Sequence, residues 1–241
     1  MLSRTFLFFR TIVFYVLLSL WTVFFPTFII LIIYFLPRKQ RHRLAVVTWC
    51  SVALILAKII CGIRWKIEGL ENIPYKSCVI ISNHQSTWET FYLQTIFSPQ
   101  STVIKRELLN IPFFGWAFRL LSPIAINRSD RSAAVHQLIE QGTHYLKKGN
   151  FVLIFPEGTR HDWPNLGKFS RGGAILAKKS EFDLVPIVHN AGRYWPSGKW
   201  FKTPGVISVK IGPPINCKDK STTEINKLAY AWVSDNQKTL D

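Results

Sequence analysis

The first 67 residues contain no aspartate or glutamate, and the first acidic residue along the chain is Glu68. The same stretch carries nine of the thirty lysines and arginines, and the formal net charge is +16. A basic excess can attract nucleic acid or anionic lipid. Here the basic residues flank strongly apolar runs, and each one near an anionic bilayer surface adds roughly 1 kcal/mol of attraction. The pattern therefore favours a membrane partner and disfavours nucleic acid, which would need cations interleaved with aromatics on a soluble face.

Cysteine is scarce and unpatterned. The four cysteines, Cys50, Cys61, Cys78 and Cys217, form no CxxC pair, and no histidine stands at metal-ligand spacing. We therefore predict neither a metal site nor a bound cofactor. Scattered thiols suit a reducing compartment, where burial is their simplest role. The sequence also shows no internal repeat, no low-complexity tract and no long linker.

A charge-free run of 26 residues occupies positions 11–36. About 20 apolar residues suffice for a helix to cross the hydrocarbon core of a bilayer. A signal peptide is disfavoured because the run is long and no A-x-A-like cleavage site follows it. A second apolar run, at 44–63, is interrupted by Lys58, and its alternative is a buried core helix. We predict that residues 1–64 form a membrane-anchoring helical segment.

Several topologies are open to this segment. If both runs spanned the membrane as a hairpin, the basic cluster at 38–43 would face the outside, against the positive-inside tendency. The first run could instead turn back at Pro26, whose missing backbone donor favours a kink. Both runs could also lie half-submerged, with their basic residues at the headgroups. We expect a hairpin that does not span the membrane and faces the cytoplasm.

From about Trp65 onward, short β-rich runs alternate with amphipathic stretches. This alternation predicts one α/β domain, residues 65–241, in which helices cover a mainly parallel sheet. The strands read as nearly continuous apolar runs, as expected for strands buried on both faces. The predicted strands are 78–82, 102–105, 124–127, 151–155, 184–188 and 206–211. The predicted helices are 87–97, 113–121, 129–148, 170–179 and 222–238.

A histidine and a carboxylate stand five positions apart where the first of these strands ends. Glu89 can hold one tautomer of the His84 ring and stabilise its charged form. Because positions five apart on an ideal helix point about 140° away from each other, His84 must precede the helix, and Ser86 or Thr87 is a good N-cap. The alternative is a capping box, in which Glu89 accepts from the backbone N–H of Ser86. We expect these two roles to compete for one carboxylate.

A second polar loop, residues 156–160, follows the strand at 151–155. Gly158 permits a tight turn or a close approach of a ligand. Arg160 offers a fork of donors suited to phosphate. The alternative is an ordinary turn with a solvated arginine, so this loop alone does not identify a function.

Taken together, these loops resemble motifs of the glycerolipid acyltransferase family, most closely the bacterial 1-acyl-sn-glycerol-3-phosphate acyltransferases. Asn83 and His84, followed after four residues by Glu89, resemble the family's NHx4D block, with Glu in place of Asp. Residues 155–160, FPEGTR, match the family motif of that sequence in full. The resemblance covers roughly residues 65–215.

Two weaker blocks occur in the family's order. Residues 122–128, SPIAINR, match the GxxFIxR block in part and keep Arg128, although Ser122 replaces Gly and Ala125 replaces Phe. Residues 184–187, LVPI, resemble the family's VPV segment. Four ordered blocks are far less expected by chance than any single one.

The resemblance implies an acyltransferase that moves a fatty acyl group from acyl-ACP or acyl-CoA to the sn-2 hydroxyl of 1-acyl-sn-glycerol 3-phosphate, giving phosphatidic acid. His84 would be the general base and Glu89 would orient it. The residues implied to bind the glycerol phosphate are Arg128, Glu157, Gly158, Thr159 and Arg160. Because a carboxylate repels phosphate, Glu157 would bond the glycerol hydroxyl or fix an arginine. The implied partners are the lipid bilayer, lysophosphatidic acid and the acyl donor, at a bacterial inner membrane with the catalytic domain facing the cytoplasm.

Three further assignments are hypotheses about the surroundings of the site. Lys105, Lys168 and Arg171 are additional basic candidates for the acceptor. Residues 111–116 could line an acyl tunnel or simply begin a helix packed on the core. Backbone N–H groups at the start of the helix after Ser86 would stabilise the oxyanion.

Two rival functions stay open. The acceptor could be glycerol 3-phosphate or a lysophospholipid with a different headgroup. Alternatively, the chain could be a non-catalytic, membrane-anchored lipid-binding protein that keeps the fold. His84 together with Glu89 and an intact FPEGTR block argues against the second rival.

Overall fold

The computed structural model describes residues 3–33, 35–110, 123–127 and 130–240. The strands in this part are β1 (Ile63–Glu68), β2 (Val79–Ser82), β3 (Gln100–Lys105), β4 (Ile124–Ile126), β5 (Phe151–Ile154), β6 (Leu184–His189) and β7 (Gly205–Ile211). The helices are α1 (Arg4–Ile33), α2 (Arg38–His42), α3 (Thr48–Cys61), α4 (Trp88–Ile96), α5 (Arg131–Lys147), α6 (Gly172–Ser180), α7 (Ala191–Tyr194) and α8 (Thr222–Gln237). A π-helical turn, Arg43–Val47, joins α2 to α3, and short 3₁₀ turns cover Leu70–Asn72 and Arg106–Asn110.

These strands form one sheet in the order β1-β7-β6-β2-β5-β3-β4. Neighbouring strands are parallel except for the antiparallel pair β6 and β7. Strands β2 and β6 are buried along their whole length, which explains their continuous apolar sequences. The predicted α/β class with a mainly parallel sheet is confirmed. Because β6, β2 and β5 are adjacent and parallel, the loops that follow them meet at one edge of the sheet.

Helices cover both faces of the sheet and bury a core on each. On one face α1, α3 and α4 pack around side chains such as Leu54 and Trp88. On the other face α5, α6 and α8 pack around Leu138, Leu176 and Ile225. The four cysteines are all buried and unpaired, as predicted.

Helix α1 runs unbroken from Arg4 to Ile33 with Pro26 inside it, which excludes the arrangement in which the first run turns back at Pro26. A proline within a helix removes one backbone hydrogen bond, and the rest of a long helix packed on a neighbour can tolerate that loss. Helix α3 returns antiparallel to α1, because Arg10 near the start of α1 donates to the carbonyl of Cys61 at the end of α3, at 2.7 Å. Trp21 near the middle of α1 donates its indole N–H to the carbonyl of Trp49 in α3, at 3.4 Å.

Contacts with the α/β domain run along the whole hairpin. They are the hydrogen bond from Arg10 Nη2 to the Lys202 carbonyl, the edge-to-face contact of Phe14 with Trp195, the contact of Trp49 with Phe91, and the bond between His42 Nδ1 and Ser98 Oγ. The side of α1 that faces away from these contacts exposes a row of large apolar side chains, among them Phe9, Val13, Leu20, Phe24 and Phe28. Two helical stretches, Arg4–Ile29 and Gln40–Cys61, are long and apolar enough to cross a bilayer. These features indicate membrane association.

Strand β1 was missed by the sequence analysis. Its side chains alternate, with Ile63 buried and Arg64 exposed, because one face of this edge strand is open. A search for continuous apolar runs therefore passes over it. The division of the chain at residues 64 and 65 stays a prediction, and β1 crosses it. The predicted helix at 113–121 and the segment 111–116 lie outside the described residues.

Candidate active site

The loop after β2 places His84 outside the following helix. Helix α4 begins at Trp88, whose backbone N–H donates to Ser86 Oγ at 3.1 Å. Ser86 therefore caps the helix start. His84 precedes this cap, as the pairing of His84 with Glu89 requires.

Glu89 contacts the imidazole and caps the helix at the same time. Its Oε1 accepts hydrogen bonds from His84 Nδ1 at 3.0 Å, from the Gln85 N–H at 2.9 Å and from the Ser86 N–H at 2.7 Å. The expectation that the two roles compete is therefore wrong, because the negatively charged Oε1 accepts from all three converging donors at once. The side chain of Glu89 is fully buried. The extra methylene of Glu, compared with the Asp of the family motif, still lets the carboxylate reach the ring.

The hydrogen bond to Glu89 fixes the tautomer of His84. Because an ionised carboxylate can only accept, Nδ1 carries the proton and Nε2 presents a lone pair. The ring of His84 stacks on Phe155, with centroids 3.9 Å apart and planes 17° apart. No side chain or backbone group of the described residues bonds Nε2, and the His84 side chain keeps 15% of its surface exposed. This nitrogen can therefore take a proton from a ligand.

Glu89 is held in its ionised form. Burial alone would raise the pKa of its carboxyl, but the hydrogen bonds from His84 and from the Ser86 N–H hold that pKa below its usual value. An ionised, oriented carboxylate stabilises an imidazolium that forms beside it. The pair can therefore act as a general base.

Glu157 of the FPEGTR loop joins two loops through backbone N–H groups. Its Oε1 accepts from the His84 N–H at 2.7 Å, and its Oε2 accepts from the Gly167 N–H at 2.6 Å. His161 donates its backbone N–H to the carbonyl of His84 at 2.9 Å. Burial raises the pKa of Glu157, although both N–H donors and the His161 and His84 rings oppose that shift. Hydrogen bonds thus hold both the backbone N–H and the backbone carbonyl of His84.

The rest of the FPEGTR loop is exposed beside His84. Gly158 has a φ of 73° and donates its N–H to the Phe155 carbonyl at 3.1 Å, so it forms the predicted tight turn. Thr159 and Arg160 are exposed, and within the described ranges their side chains form no hydrogen bond or ion pair. Because the backbone N–H of His161 donates to the His84 carbonyl, the backbone of the preceding residue, Arg160, lies close to His84.

The other candidate cations are less informative. Arg128 lies outside the described residues. Lys105, Lys168 and Arg171 are all exposed, and no contact in the described part of the chain ties them to His84.

Asn83 and His189 form a buried lock behind His84 that the sequence analysis did not find. Asn83 Nδ2 donates to the His189 carbonyl at 2.9 Å, and the His189 N–H donates to Asn83 Oδ1 at 3.1 Å. Burial lowers the pKa of His189, and its neutral ring accepts from the Ala191 N–H at 3.2 Å and donates to the Asn83 carbonyl at 3.0 Å. The sequence did offer one signal of this contact, because His189 is the last residue of β6, which adjoins β2 in the sheet.

The prediction that backbone N–H groups at the start of α4 stabilise the oxyanion is wrong for three of these groups. Those of Gln85 and Ser86 donate to Glu89, and that of Trp88 donates to Ser86 Oγ. The carboxylate that orients the histidine also collects the donors around it. They are therefore already engaged and cannot face an oxyanion without breaking the helix cap.

Comparisons with known proteins agree with this geometry. The chain is 51% identical over 229 residues to the 1-acyl-sn-glycerol-3-phosphate acyltransferase of Pseudomonas aeruginosa, covering 94% of this chain and 89% of that protein. It is 33% identical over 177 residues to the enzyme of the same name from Saccharomyces cerevisiae, covering 71% of this chain and 58% of that protein. The crystal structure of the 1-acyl-sn-glycerophosphate (LPA) acyltransferase from Thermotoga maritima superposes with a TM-score of 0.80 at 24% identity, covering 96% of this chain and 94% of that chain. At that identity the superposition supports the fold alone.

The match is also present at the level of the family. A family model described as "Acyltransferase" matches residues 64–190, a range that begins in β1, includes both polar loops and ends just after His189. That range is more than half of the chain, and the 51% identical relative spans nearly all of it. This chain therefore belongs to the acyltransferase family.

Proposed function

We propose that this chain transfers a fatty acyl group from a thioester donor to the sn-2 hydroxyl of 1-acyl-sn-glycerol 3-phosphate, giving phosphatidic acid for phospholipid biosynthesis. The observation that carries the proposal is the 3.0 Å hydrogen bond between His84 and buried Glu89, with the opposite ring nitrogen open. The name of the 51% identical Pseudomonas relative supports the choice of acceptor.

The chemistry follows from the tautomer of His84. Nε2 takes the proton of the sn-2 hydroxyl as that oxygen attacks the thioester carbonyl, and Glu89 stabilises the imidazolium. When the tetrahedral intermediate collapses, the carbon–sulfur bond breaks and the imidazolium can return the proton to the departing thiolate. No serine or cysteine nucleophile is needed because the donor is already activated. A positioned base contributes typically about 10²–10⁴-fold, so the remaining acceleration comes from orientation and oxyanion stabilisation.

The contacts of Glu157 support a positioning role rather than the predicted contact with the acceptor. Both of its oxygens already accept backbone N–H groups, those of His84 and Gly167. Arg160 and Thr159 are exposed beside His84 and can meet the phosphate, which carries about −1.5 to −2 charges at neutral pH. Arg128 keeps its role as a second phosphate contact by resemblance alone.

The hairpin contacts support insertion from one side of the membrane. Helix α1 has 30 residues, about 45 Å at 1.5 Å per residue, against a hydrocarbon core of about 30 Å. If α1 crossed the bilayer, one of its ends would leave the side that holds the α/β domain. However, Arg10 near the start of α1 bonds the Lys202 carbonyl at 3.3 Å, and His42, on the returning limb beside the last turns of α1, bonds Ser98 at 3.0 Å. We therefore infer an in-plane hairpin with its apolar row in the bilayer.

The cytoplasmic face of a bacterial inner membrane suits this arrangement, because thioester donors are made in the cytoplasm. A tag placed at residues 39–42 tests it. We expect the tag to be inaccessible to an impermeant reagent added outside intact cells. Labelling from the outer side alone would exclude the one-sided hairpin.

An assay with purified protein tests the activity. Lysophosphatidic acid, glycerol 3-phosphate and a lysophospholipid with a different headgroup are each offered with acyl-CoA and acyl-ACP, and thiol release and product mass are read. We expect phosphatidic acid from lysophosphatidic acid and at least a 10²-fold loss in His84→Ala. The exposed residue His136 provides a matched control, and His136→Ala should keep full activity. Turnover by His84→Ala equal to wild type would refute the general base.

A further inference from the structure

The loop between α7 and β7 carries two large aromatic side chains that the α/β domain leaves exposed. Trp200 is 47% exposed and the adjacent Phe201 is 39% exposed. Lys199, which precedes them, is also exposed. Scattered apolar residues on a surface are ordinary, but adjacent exposed aromatics mark a surface that meets a membrane or a partner. We call residues 196–201 the aromatic loop.

The aromatic loop is continuous with the apolar row of α1. The ring centroid of Trp200 lies 5.2 Å from that of Tyr15 and 6.3 Å from that of Phe8. The Phe8 ring in turn meets the Phe9 ring edge to face, with centroids 5.9 Å apart. Phe9 belongs to the apolar row, which is inferred above to lie in the bilayer. A connected aromatic surface therefore leads from the hairpin onto the α/β domain.

Basic side chains border this surface and indicate its occupant. Arg4 is exposed one helical turn before Phe8, on the same side of α1. Lys199 lies next to Trp200, and its contact with Asp162 at 3.6 Å is an exposed ion pair of little strength. Tryptophan rings with neighbouring cations are typical of the headgroup level of a membrane. This chemistry, together with the continuity with the apolar row, favours a lipid surface over a protein partner.

The backbone of the aromatic loop is suited to a poorly hydrated environment. The ammonium of the buried residue Lys202 donates to the carbonyls of Lys199 at 3.1 Å and Trp200 at 2.8 Å. It also lies 4.7 Å from the ring centroid of Tyr15. Irregular backbone at membrane depth must find its hydrogen-bond partners within the protein, because lipid tails offer none. The buried lysine satisfies the two carbonyls that accompany the exposed rings.

Hydrogen bonds also hold the aromatic loop against the hairpin. Arg10 of α1 donates to the Lys202 carbonyl at 3.3 Å, and the Thr203 N–H donates to the Tyr194 carbonyl at 2.9 Å. Tyr15, which contacts Trp200, follows the buried residue Phe14 by about 100° around α1. The loop is therefore fixed at the flank of α1, between the side of the helix that packs on the domain and the side that carries the apolar row.

We propose that the aromatic loop is a second membrane contact, in which Trp200 and Phe201 enter the headgroup layer beside the first turns of α1. The proposal rests on the one-sided hairpin inferred above and goes beyond it, because it docks the α/β domain itself on the bilayer. A contact at the flank of α1 restricts rotation of the domain about the helix axis. It therefore fixes how the site at His84 faces an acceptor that resides in the membrane.

Nitroxide labels in the full chain, reconstituted into vesicles that contain phosphatidylglycerol, test this contact. The four native cysteines are buried, so an introduced exposed cysteine can be labelled selectively. Separate proteins carry the label through Phe201→Cys, through Leu20→Cys in the apolar row, and through Lys227→Cys on the exposed side of α8. Collisions with oxygen, which concentrates in lipid, are compared with collisions with a water-soluble nickel chelate. The oxygen-to-nickel ratio at positions 201 and 20 should exceed that at 227 by at least about threefold.

A second substitution tests whether the tryptophan ring holds the loop in the headgroup layer. Trp200→Ser in the protein labelled at 201 should lower the oxygen-to-nickel ratio toward the value at 227. The matched control is Tyr230→Ser on α8, which removes a ring of similar exposure that likewise contacts a neighbouring ring, that of Phe169. The control should leave the ratio at 201 unchanged. An unchanged ratio in Trp200→Ser would overturn the assignment of the ring.

The other outcomes overturn the proposal in distinguishable ways. A label at 201 in water, with the label at 20 in lipid, would show that the hairpin alone meets the bilayer. Spectral broadening at 201 that disappears on dilution with unlabelled protein would assign the loop to a contact between two copies of the chain. A label at 20 in water would refute the one-sided hairpin itself, and the proposal with it.

Discussion

Replacing Glu89 by glutamine separates charge from shape at the candidate base. The amide oxygen of glutamine can still accept from the N–H groups of Gln85 and Ser86, so the start of α4 should persist. Only the negative charge next to the His84 ring disappears. The new amide nitrogen would take the place of Oε2, which has no hydrogen-bond partner among the described residues. This unpaired donor should cost about 1–3 kcal/mol of stability.

The size of the catalytic loss follows from the geometry. Glu89 Oε1 lies 3.0 Å from His84 Nδ1. At an effective dielectric constant of about 20, unit charges at this separation attract by roughly 5 kcal/mol. The attraction exists only when the ring is charged, so it lowers the barrier of the proton-transfer step. Since about 1.4 kcal/mol is tenfold in rate, we expect kcat to fall about 10³–10⁴-fold.

The assay measures thiol release from acyl-CoA at saturating lysophosphatidic acid, together with thermal unfolding in the same detergent. Glu89→Gln should lose kcat with little change in KM, and its unfolding temperature should fall only by the few degrees that about 1–3 kcal/mol implies. Glu89→Ala, which also removes the acceptor for Gln85 and Ser86, should lose stability as well as activity. Wild-type turnover in Glu89→Gln would show that Glu89 only caps the helix, and the general-base argument would then be wrong.

Three further predictions concern groups around the site. Glu157→Gln should lower kcat about 10–100-fold and leave KM for lysophosphatidic acid within about twofold, because one backbone donor loses its acceptor and the His84 loop loosens; a raised KM with normal kcat in steady-state assays would indicate direct contact with the acceptor. Asn83→Ala should lower the free energy of unfolding by about 2–4 kcal/mol, measured by chemical denaturation, because it strands buried backbone groups of His189; an unchanged midpoint would contradict the lock. Burial lowers the pKa of Lys202 to about 8 from 10.5, so between these pH values the unfolded chain binds more protons than the folded chain does. The free energy of unfolding, measured relative to Lys202→Met, should therefore rise by at most about 3 kcal/mol as the pH increases from 8 to 10.5. The same pH dependence of the free energy of unfolding in both proteins would refute this.

The sequence was sufficient for the parts of the site that local rules control. His84 ends a buried strand and Glu89 begins a helix, so their approach follows from the strand end, the N-cap and a five-residue spacing. The FPEGTR loop follows β5, which adjoins β2 in the sheet. Parallel neighbours bring their carboxyl-end loops together, and this rule places Arg160 beside His84 without any knowledge of side-chain contacts.

The contacts that depend on distant residues could not be predicted. The partners of Glu157 are backbone groups, which leave no trace in residue type. His189 is about a hundred positions from Asn83, and only the pairing of β2 with β6 brings them together. Strand β1 was missed because it is an edge strand whose apolar side chains alternate. Pro26 marked a plausible break, but tertiary packing of α1 outweighs the loss of one backbone hydrogen bond.

The candidate base is an extension of a helix capping box. Ser86 accepts from Trp88, and Glu89 accepts in return from Ser86, which already fixes the carboxylate by the needs of the helix. The His84 ring adds a third donor to an oxygen that cannot move without uncapping α4. Little rotamer freedom is then left to lose when the imidazolium forms, so the site is organised before substrate arrives. The side chain of Glu, longer than that of Asp, suits this double use. Glu89 is the second residue of α4, and its carboxylate must fold back to a ring that precedes the helix cap.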